Sequence, residues 1–364
     1  MTAPQTTPSP LPPPLPDSGD DALLALAATF KDRVSVLRRQ VAHVIVGQDA
    51  VVEEILIALL SGGHAMLEGV PGLAKTLLVS TLAKALSLDS GRVQFTPDLM
   101  PTDVTGTQVI TENPHTKERQ LSFRKGPVFV HLLLADEINR TPPKTQAALL
   151  EAMAEGQVTV GGARYTLPKP FCVLATQNPI EQEGTYRLPE AQLDRFLLKV
   201  VIDYPELEEE RSIVERTTGT QASTVEPVMS REEILSLQRI VRALHAPPHI
   251  LEYATRIVRA SRVGEEGAMP WAADVFAWGA GPRATQALIL AAKAKTLIEG
   301  RFAVTRGAVR SVALPVLRHR VVPSFRAEAE GFSADDLVRR LLNETPTFVP
   351  NEGTDQPTRR ILRM

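Results

Sequence analysis

The segment from residue 64 to residue 76 constrains the fold of this chain more than any other part of the sequence. It reads HAMLEGVPGLAKT, in which the apolar run 65–67 precedes Gly69 and Gly72, and apolar residues recur at helical spacing after Thr76. This order predicts a buried strand, a glycine loop and a helix. In such a loop, backbone N–H groups can close around phosphate oxygens, and the start of the helix attracts negative charge. The segment therefore predicts a nucleotide-phosphate site, although an ordinary Gly/Pro turn before a helix would have the same local spacing.

The residues after the glycines carry the phosphate chemistry. Lys75 can reach the β- and γ-phosphates, and the hydroxyl of Thr76 can bind Mg²⁺. Ala74 departs from the G-x-x-x-x-G-K-[ST] pattern, which has glycine at this position. The extra methyl group is tolerated if the backbone is already helical there. The predicted nucleotide contacts of the loop are Gly69, Val70, Pro71, Gly72, Leu73, Ala74, Lys75 and Thr76.

Composition limits the class of protein. A chain of 364 residues with 43% hydrophobic and 23% charged residues predicts a globular protein of about two domains. The net charge of -2 provides no overall field that would attract nucleic acid or an anionic membrane. The single cysteine, Cys172, cannot form an intramolecular disulfide, which favours a reducing compartment. Because the sequence shows neither a membrane span nor a signal-peptide pattern, we expect a cytoplasmic protein.

The succession of patterns predicts two domains between two tails. Strand-like and helical segments alternate up to about Asp203, which favours a mostly parallel sheet covered by helices. Two hairpins interrupt this scheme, at about 107–124 and 158–167. Beyond Asp203 we expect helices only, one of them kinked or shortened by Pro315. The predicted parts are a disordered proline-rich tail at 1–20, a nucleotide-binding core at 21–225, a helical domain at 226–345 and a loosely ordered tail at 346–364.

Polar residues follow two of the predicted buried strands. The apolar run 128–135 leads directly into Asp136 and Glu137, and Asn178 follows a later strand. In a sheet of this class, the active site lies beyond the carboxyl ends of the strands. Asp136 would then complete a Mg²⁺ site with Thr76, and Glu137 would orient and deprotonate an attacking water. The amide of Asn178 could bind the γ-phosphate, while a solvated acidic turn and an Asn-Pro turn are the alternatives.

Six motifs share the order and spacing of one known family. They are GVPGLAKT at 69–76, LLADEINR at 133–140, PPKTQAALLEAM at 142–153, ATQNP at 175–179, LPEAQLDRF at 188–196 and GAGPR at 279–283. Together they resemble the MoxR family of AAA+ ATPases over about residues 35–345. The resemblance implies an α/β fold: a P-loop AAA+ core with a mostly parallel sheet covered by helices, plus an all-α lid domain.

The resemblance assigns roles at the nucleotide. Lys75 and Thr76 match the Walker A pair, and an alanine before that lysine is usual in the family. Asp136 and Glu137 match Walker B, and Asn178 matches sensor 1. The family segment that lies against the adenine corresponds to Val46, Gly47 and Gln48.

The resemblance also assigns two arginines and two inserts. Arg195 matches the arginine finger, with Arg187 as the alternative, and Arg283 matches sensor 2 in its own subunit or in a neighbour's. A bidentate, always-charged guanidinium suits the spread charge of a γ-phosphate transition state, and a finger supplied by another subunit contributes about 10³–10⁵ in rate. The hairpin at 107–124 resembles the helix-2 insert, and the one at 158–167 the insertion before sensor 1.

The resemblance further implies cofactors and partners. It predicts ATP and Mg²⁺, a homo-oligomer that forms a hexameric ring, a protein client that is remodelled or matured, and a partner with a von Willebrand factor A (VWA) domain. A nucleic-acid motor is the first alternative, because the 107–124 hairpin contains Lys117, Arg119 and Arg124, partly offset by Glu112 and Glu118. A magnesium-chelatase-type motor subunit is the second.

Overall fold

The structure is a computed structural model that describes residues 20–70, 72–112, 119–177, 185–218 and 224–346. Two predicted site residues, Pro71 and Asn178, lie outside these ranges. The predicted tails also lie outside them, apart from their inner ends.

Parallel strands build the central sheet. The described strands are β1 Ala65–Glu68, β2 Ser90–Gln94, β3 Gly106–Glu112, β4 Arg119–Lys125, β5 Leu132–Asp136, β6 Gln157–Val160, β7 Ala163–Thr166, β8 Cys172–Gln177, β9 Leu198–Val201, β10 Phe276–Trp278 and β11 Val322–Pro323. Five of them form one parallel sheet in the order β2-β5-β8-β1-β9. Because the five strands run in the same direction, their last residues meet at a carboxyl edge and their first residues at an amino edge.

Helices cover both faces of this sheet, as the sequence predicts. The described helices are α1 Asp20–Ala42, α2 Asp49–Leu60, α3 Lys75–Ala85, α4 Pro101–Thr105, α5 Pro143–Glu155, α6 Glu190–Leu193, α7 Leu207–Thr218, α8 Arg231–Ala243, α9 Pro248–Ala260, α10 Ala272–Val275, α11 Pro282–Ile298, α12 Arg306–Leu317, α13 Phe325–Ala329 and α14 Ala334–Glu344. A 3₁₀ turn follows β5 at Ile138–Arg140. No helix among them is long and apolar enough to cross a bilayer.

Two buried apolar clusters lie on opposite faces of the sheet. Along β5, Leu132 and Leu134 belong to the first cluster and Leu133 and Ala135 to the second, as the two-residue period of a strand requires. The first cluster includes α1 to α3 and also α8, α9, α11, α12 and α14, and the second includes α5. The first cluster contains helices of both predicted domains, so the apolar core continues across residue 225. The domain boundary expected at that residue stays a prediction.

Two hairpins extend from the core and contact each other. Strands β3 and β4 pair antiparallel from Gly106 to Glu112, and β6 and β7 pair from Gln157 to Val160, so both predicted hairpins are present. The ring of Phe123 on β4 stacks on Tyr165 of β7, with centroids 3.9 Å apart.

Two local expectations were wrong, and a third was confirmed. The buried strand predicted from residue 128 begins only at Leu132, because 128–131 form a turn and a bend. Val128 is buried there, whereas Phe129 and Val130 are half-buried. Strands do not stop at Asp203, because β10 and β11 form a short antiparallel ladder in the helical domain. The helix that contains Pro315 is shortened as expected, since α12 ends at Leu317, two residues after the proline.

Candidate functional site

The predicted phosphate loop lies at the carboxyl edge of the sheet. Gly69 directly follows β1, and a side chain there would meet the Ile202 carbonyl oxygen at 2.6 Å, so only glycine fits. Gly72 has φ +89°, and Ala74 has φ 52° and ψ 27° before α3 begins at Lys75. The right-handed helix therefore has not begun at Ala74, so the condition under which its methyl group is tolerated without strain is not met. Its left-handed conformation favours glycine, so the alanine is held there against its own preference.

Lys75 points back across the loop. Its Nζ donates a hydrogen bond to the carbonyl oxygen of Gly69. Burial lowers the pKa of Lys75, while the carboxylates of Asp136, Glu137 and Glu68 act in the opposite direction. The ammonium group is thus surrounded by oxygens at the carboxyl edge, and Thr76 is exposed in the same helical turn.

Asp136, the last residue of β5, is fixed on both carboxylate oxygens. Its Oδ1 accepts a hydrogen bond of 2.6 Å from the hydroxyl of Thr176 on the neighbouring strand β8. Its Oδ2 accepts from the guanidinium of Arg92 on β2, at 2.6 and 3.1 Å. The parallel register places these strand ends side by side, with Gln94 opposite Asp136. Asp136 therefore has a defined orientation at the carboxyl edge.

Glu137 has a strained backbone and a restrained carboxylate. Its φ of 56° is in the left-handed region, where a residue other than glycine costs roughly 1–3 kcal/mol, and such strain is common at functional sites. Its N–H donates to Thr176 Oγ1 at 2.8 Å, so one hydroxyl contacts both acidic residues. Its Oε2 accepts from Gln94 Nε2 at 2.7 Å and lies 3.0 Å from Arg140 Nε.

The segment predicted to lie against the adenine contacts the phosphate loop. Gln48 Nε2 donates to the carbonyl oxygen of Leu73 at 3.4 Å. Gly47 has φ +74°, a left-handed conformation that favours glycine. Val46 is half-buried beside them.

Arg195 lies at the opposite edge of the sheet. It precedes Leu198, the first residue of β9, which pairs with the first residue of β1. A strand of four residues spans about 13 Å, so the length of a strand separates Arg195 from the loop after β1. The exposed guanidinium of Arg195 donates from Nη1 to the Leu150 carbonyl oxygen on α5, at 2.6 Å.

Arg283 is placed with Arg195 and not with Lys75. It lies in the first turn of α11, is 62% exposed, and its Nη1 is 3.8 Å from Asp194 Oδ2. Arg187, the alternative finger, is exposed in a loop whose Tyr186 N–H donates to the Asn139 carbonyl oxygen at 2.6 Å. Arg187 therefore lies near Asn139, which follows β5 at the carboxyl edge.

Four residues of this arrangement were missed by the sequence analysis: Thr176, Arg92, Gln94 and Arg320. Thr176 could have been found, because it is a polar residue at the end of an apolar strand and within the ATQNP motif. Arg92 and Gln94 could have been found only with the strand order, which sets β2 beside β5. Arg320 contacts Asp194 across more than a hundred residues, and no local spacing indicates such a contact.

Comparisons with known proteins place the chain in one class of ATPases. The family described as "ATPase family associated with various cellular activities (AAA)" matches residues 64–198, and the family described as "AAA lid domain" matches residues 271–341. A solved structure of a putative ATPase from Cytophaga hutchinsonii superposes with a TM-score of 0.83 at 38% identity, over 90% of this chain and 98% of that one. The fold and the site thus define an ATPase of the AAA+ class.

Two named relatives narrow the class. "Chaperone MoxR1" of Mycobacterium tuberculosis is 41% identical over 94% of this chain and 89% of its own length. "Protein MoxR" of Paracoccus denitrificans is 32% identical over 89% of this chain and 96% of its own length. The chain belongs to the MoxR family of AAA+ ATPases.

Proposed function

We propose that this chain hydrolyses ATP with Mg²⁺ as part of an oligomer and uses the energy to remodel or mature a protein client. One observation carries the proposal: Lys75, Thr76, Asp136 and Glu137 lie together at the carboxyl edge of the sheet, next to a loop shaped by glycines. This is the set of groups that phosphoryl transfer to water requires.

The side chains at this edge fit ATP and Mg²⁺. Carboxylate and hydroxyl oxygens are the ligands that Mg²⁺ prefers, and Asp136 and Thr76 would hold it. When bound, Mg²⁺ neutralises and orients the phosphate oxygens. Among the described residues, the buried Oε1 of Gln48 is a hydrogen-bond acceptor without a partner. The exocyclic amine of adenine is a donor of the kind that it lacks, which supports the adenine assignment of Val46, Gly47 and Gln48.

Glu137 is the proposed general base. Its carboxylate is held by Gln94 and Arg140, and it needs to leave these contacts to reach a water beside the γ-phosphate. Asn178 is proposed to bind the γ-phosphate or that water, as the resemblance implies. Lys75 neutralises the β- and γ-phosphates, and Asp136 stays oriented by Thr176.

The position of Arg195 supports an oligomeric enzyme. Because it lies at the amino edge, Arg195 is a poor candidate for its own chain's nucleotide and is proposed to reach the nucleotide of a neighbouring chain. Arg283 lies beside the same Asp194 and is 62% exposed, which favours action on that same neighbouring nucleotide. We propose a ring of six identical chains.

The ATPase rate per chain, measured against chain concentration at saturating MgATP, tests this proposal. A rate that rises and then reaches a plateau is expected, since each active site needs an arginine from another chain. A substantial rate that stays constant while sizing shows a monomer would contradict the oligomeric site. The absence of hydrolysis and of ATP binding at every concentration would contradict the enzyme itself.

A protein client is favoured over nucleic acid by the surface of the β3–β4 hairpin. Ile110 and Leu121 form an adjacent cross-strand pair and are 68% and 64% exposed. Arg119 lies 4.0 Å from Glu112, which reduces the positive charge available to a phosphate backbone. A protein client is also in line with the name of one relative, Chaperone MoxR1. We propose that the chain acts in the cytoplasm with a VWA-domain partner, as the family resemblance implies. Pull-downs with the Glu137→Gln variant and ATP should retain client or partner, and DNA-stimulated hydrolysis would instead favour a nucleic-acid motor.

A further inference from the structure

Three consecutive basic residues tie the lid to the segment that leads into β9. Arg318, His319 and Arg320 follow α12 in the lid. Arg318 Nη1 donates to the Lys199 carbonyl oxygen at 3.2 Å, and His319 Nε2 lies 3.1 Å from the Phe196 carbonyl oxygen. Arg318 and His319 thus bind the backbone of the core through lid side chains.

Arg320 makes most of this contact and is almost completely buried. Its side chain is 3% exposed, and its Nε donates to Asp194 Oδ1 at 2.7 Å. Its Nη2 donates to the carbonyl oxygens of Phe196 at 2.6 Å and Asp194 at 3.3 Å, and its Nη1 donates to that of Leu197 at 3.0 Å. A buried guanidinium needs this many acceptors because an unpaired charge in the interior is very costly.

These acceptors flank Arg195 on both sides. Asp194 precedes it and Phe196 and Leu197 follow it, whereas the guanidinium of Arg195 is exposed and touches only a carbonyl oxygen of α5 among the hydrogen bonds described. Arg320 therefore holds the backbone of the finger and leaves its side chain accessible. Asp194 also lies 3.8 Å from Arg283, so two lid arginines converge on the residue next to Arg195.

We propose that Arg320 is a positioning residue for Arg195: it fixes the finger segment to the lid, so that Arg195 and Arg283 are presented to the neighbouring chain as one unit. This inference rests on the proposed function, in which Arg195 acts on the neighbour's nucleotide. Arg320 itself touches no nucleotide in this arrangement.

A purely structural role for Arg320 predicts a different result in mixed assemblies. A chain with a misplaced finger keeps its own phosphate loop, so it resembles Arg195→Ala. A chain that is merely unstable or cannot assemble loses the finger and the loop together. Complementation between variants separates the two cases, because each active site takes its loop from one chain and its finger from another.

The experiment uses full-length Arg320→Lys, which keeps the charge but loses the forked donor geometry. We expect its ATPase rate at saturating chain concentration to fall about 10²-fold, the loss typical of a catalytic group displaced by about 1 Å. Binding of a fluorescent ATP analogue should stay within about twofold of wild type. Asp194→Asn, which keeps the side-chain volume and the backbone acceptors, serves as the second variant if Arg320→Lys does not assemble.

Mixing gives the decisive readout. Arg320→Lys mixed with Lys75→Ala chains should regain activity, because the latter donate intact fingers to intact loops. Arg320→Lys mixed with Arg195→Ala chains should stay inactive, because neither chain supplies a finger. Arg310→Lys is the matched control: this α12 arginine donates to Leu342 and Asn343 within the lid, and the same substitution there should not make recovery depend on which variant is mixed in.

The outcomes separate this inference from the function on which it rests. Recovery with Arg195→Ala chains, loss of ATP binding, or no recovery with Lys75→Ala chains would overturn the role of Arg320. The reference mixture of Arg195→Ala with Lys75→Ala chains must recover activity in the same assay. If that mixture fails, the placement of Arg195 between subunits is itself wrong.

Discussion

The hydroxyl of Thr176 donates a hydrogen bond of 2.6 Å to Oδ1 of Asp136, across the pair of neighbouring strands β8 and β5. The hydroxyl oxygen of Thr176 also accepts a hydrogen bond from the N–H of Glu137, at 2.8 Å. Thr176 is 1% exposed, so water does not compete strongly for these bonds. One buried hydroxyl thereby orients the proposed metal ligand and the backbone of the proposed general base.

Replacing Thr176 with valine tests this relationship. The variant keeps the side-chain shape and removes both hydrogen bonds, and loss of a group that orients a metal ligand typically costs about 10–100-fold in metal affinity or activity. We expect the Mg²⁺ concentration for half-maximal ATPase rate to rise within that range. Thr145→Val is the control, because Thr145 is also buried but donates to the Leu99 carbonyl oxygen at 2.8 Å. Equal effects in the two variants would contradict the specific role of Thr176.

Lys75→Ala should abolish detectable ATP hydrolysis and weaken ATP binding strongly. Lys75 is the cation that the carboxylates of Asp136, Glu137 and Glu68 surround, and no other residue of the loop is basic. Isothermal titration with ATP and a phosphate-release assay measure the two effects. Lys84→Ala, in the last turn of the same helix, should leave both unchanged. Normal turnover of Lys75→Ala would refute the phosphate-site assignment.

Glu137→Gln should bind ATP and hydrolyse it about 10²–10⁴-fold more slowly, which is the usual contribution of a general base. The amide keeps the size of the side chain and can still pair with Gln94, so the fold should not change. Single-turnover hydrolysis measures the chemical step, and sizing with ATP should show a more persistent assembly. An unchanged single-turnover rate would remove Glu137 from the catalytic role.

The sequence predicted those features of the fold that depend on local pattern and on the order of motifs. The glycine loop between a strand and a helix, the parallel sheet and both hairpins follow from apolar periodicity and turn residues, and all of them are present in the structure. The phosphate-binding role of the loop stays a prediction. The turn at 128–131 was missed because Val128, Phe129 and Val130 are apolar, as the residues of a buried strand are, and composition alone does not show whether they are extended. The left-handed backbone at Ala74 is set by the loop as a whole. Contacts such as that of Arg320 with Asp194 depend on how the lid packs on the core, which no local pattern specifies.

A different kind of prediction concerns the interface between core and lid. Glu54 of α2 lines a cavity of about 220 Å³, together with Leu198 of β9 and Lys295 and Ser311 of the lid. Burial raises the pKa of Glu54 to about 7, and the charges of Glu53 and Asp335 act in the same direction while Arg318 opposes them. Between its ordinary pKa of 4.5 and about 7, the folded chain therefore binds a proton that the unfolded chain has released.

The sign of the pH effect follows from this difference. The contribution of Glu54 to the free energy of unfolding is fully present below about pH 4.5 and is lost as the pH rises through about 7. Glu54→Gln mimics the protonated form, so it should be more stable than wild type at pH 8, by at most roughly 3 kcal/mol. The difference should vanish as the pH approaches 4.5. Urea unfolding of both proteins across this range measures it, and a difference independent of pH would contradict the assignment. Glu53→Gln should instead destabilise the chain at pH 8, because Glu53 is the partner of Arg38 and Lys295.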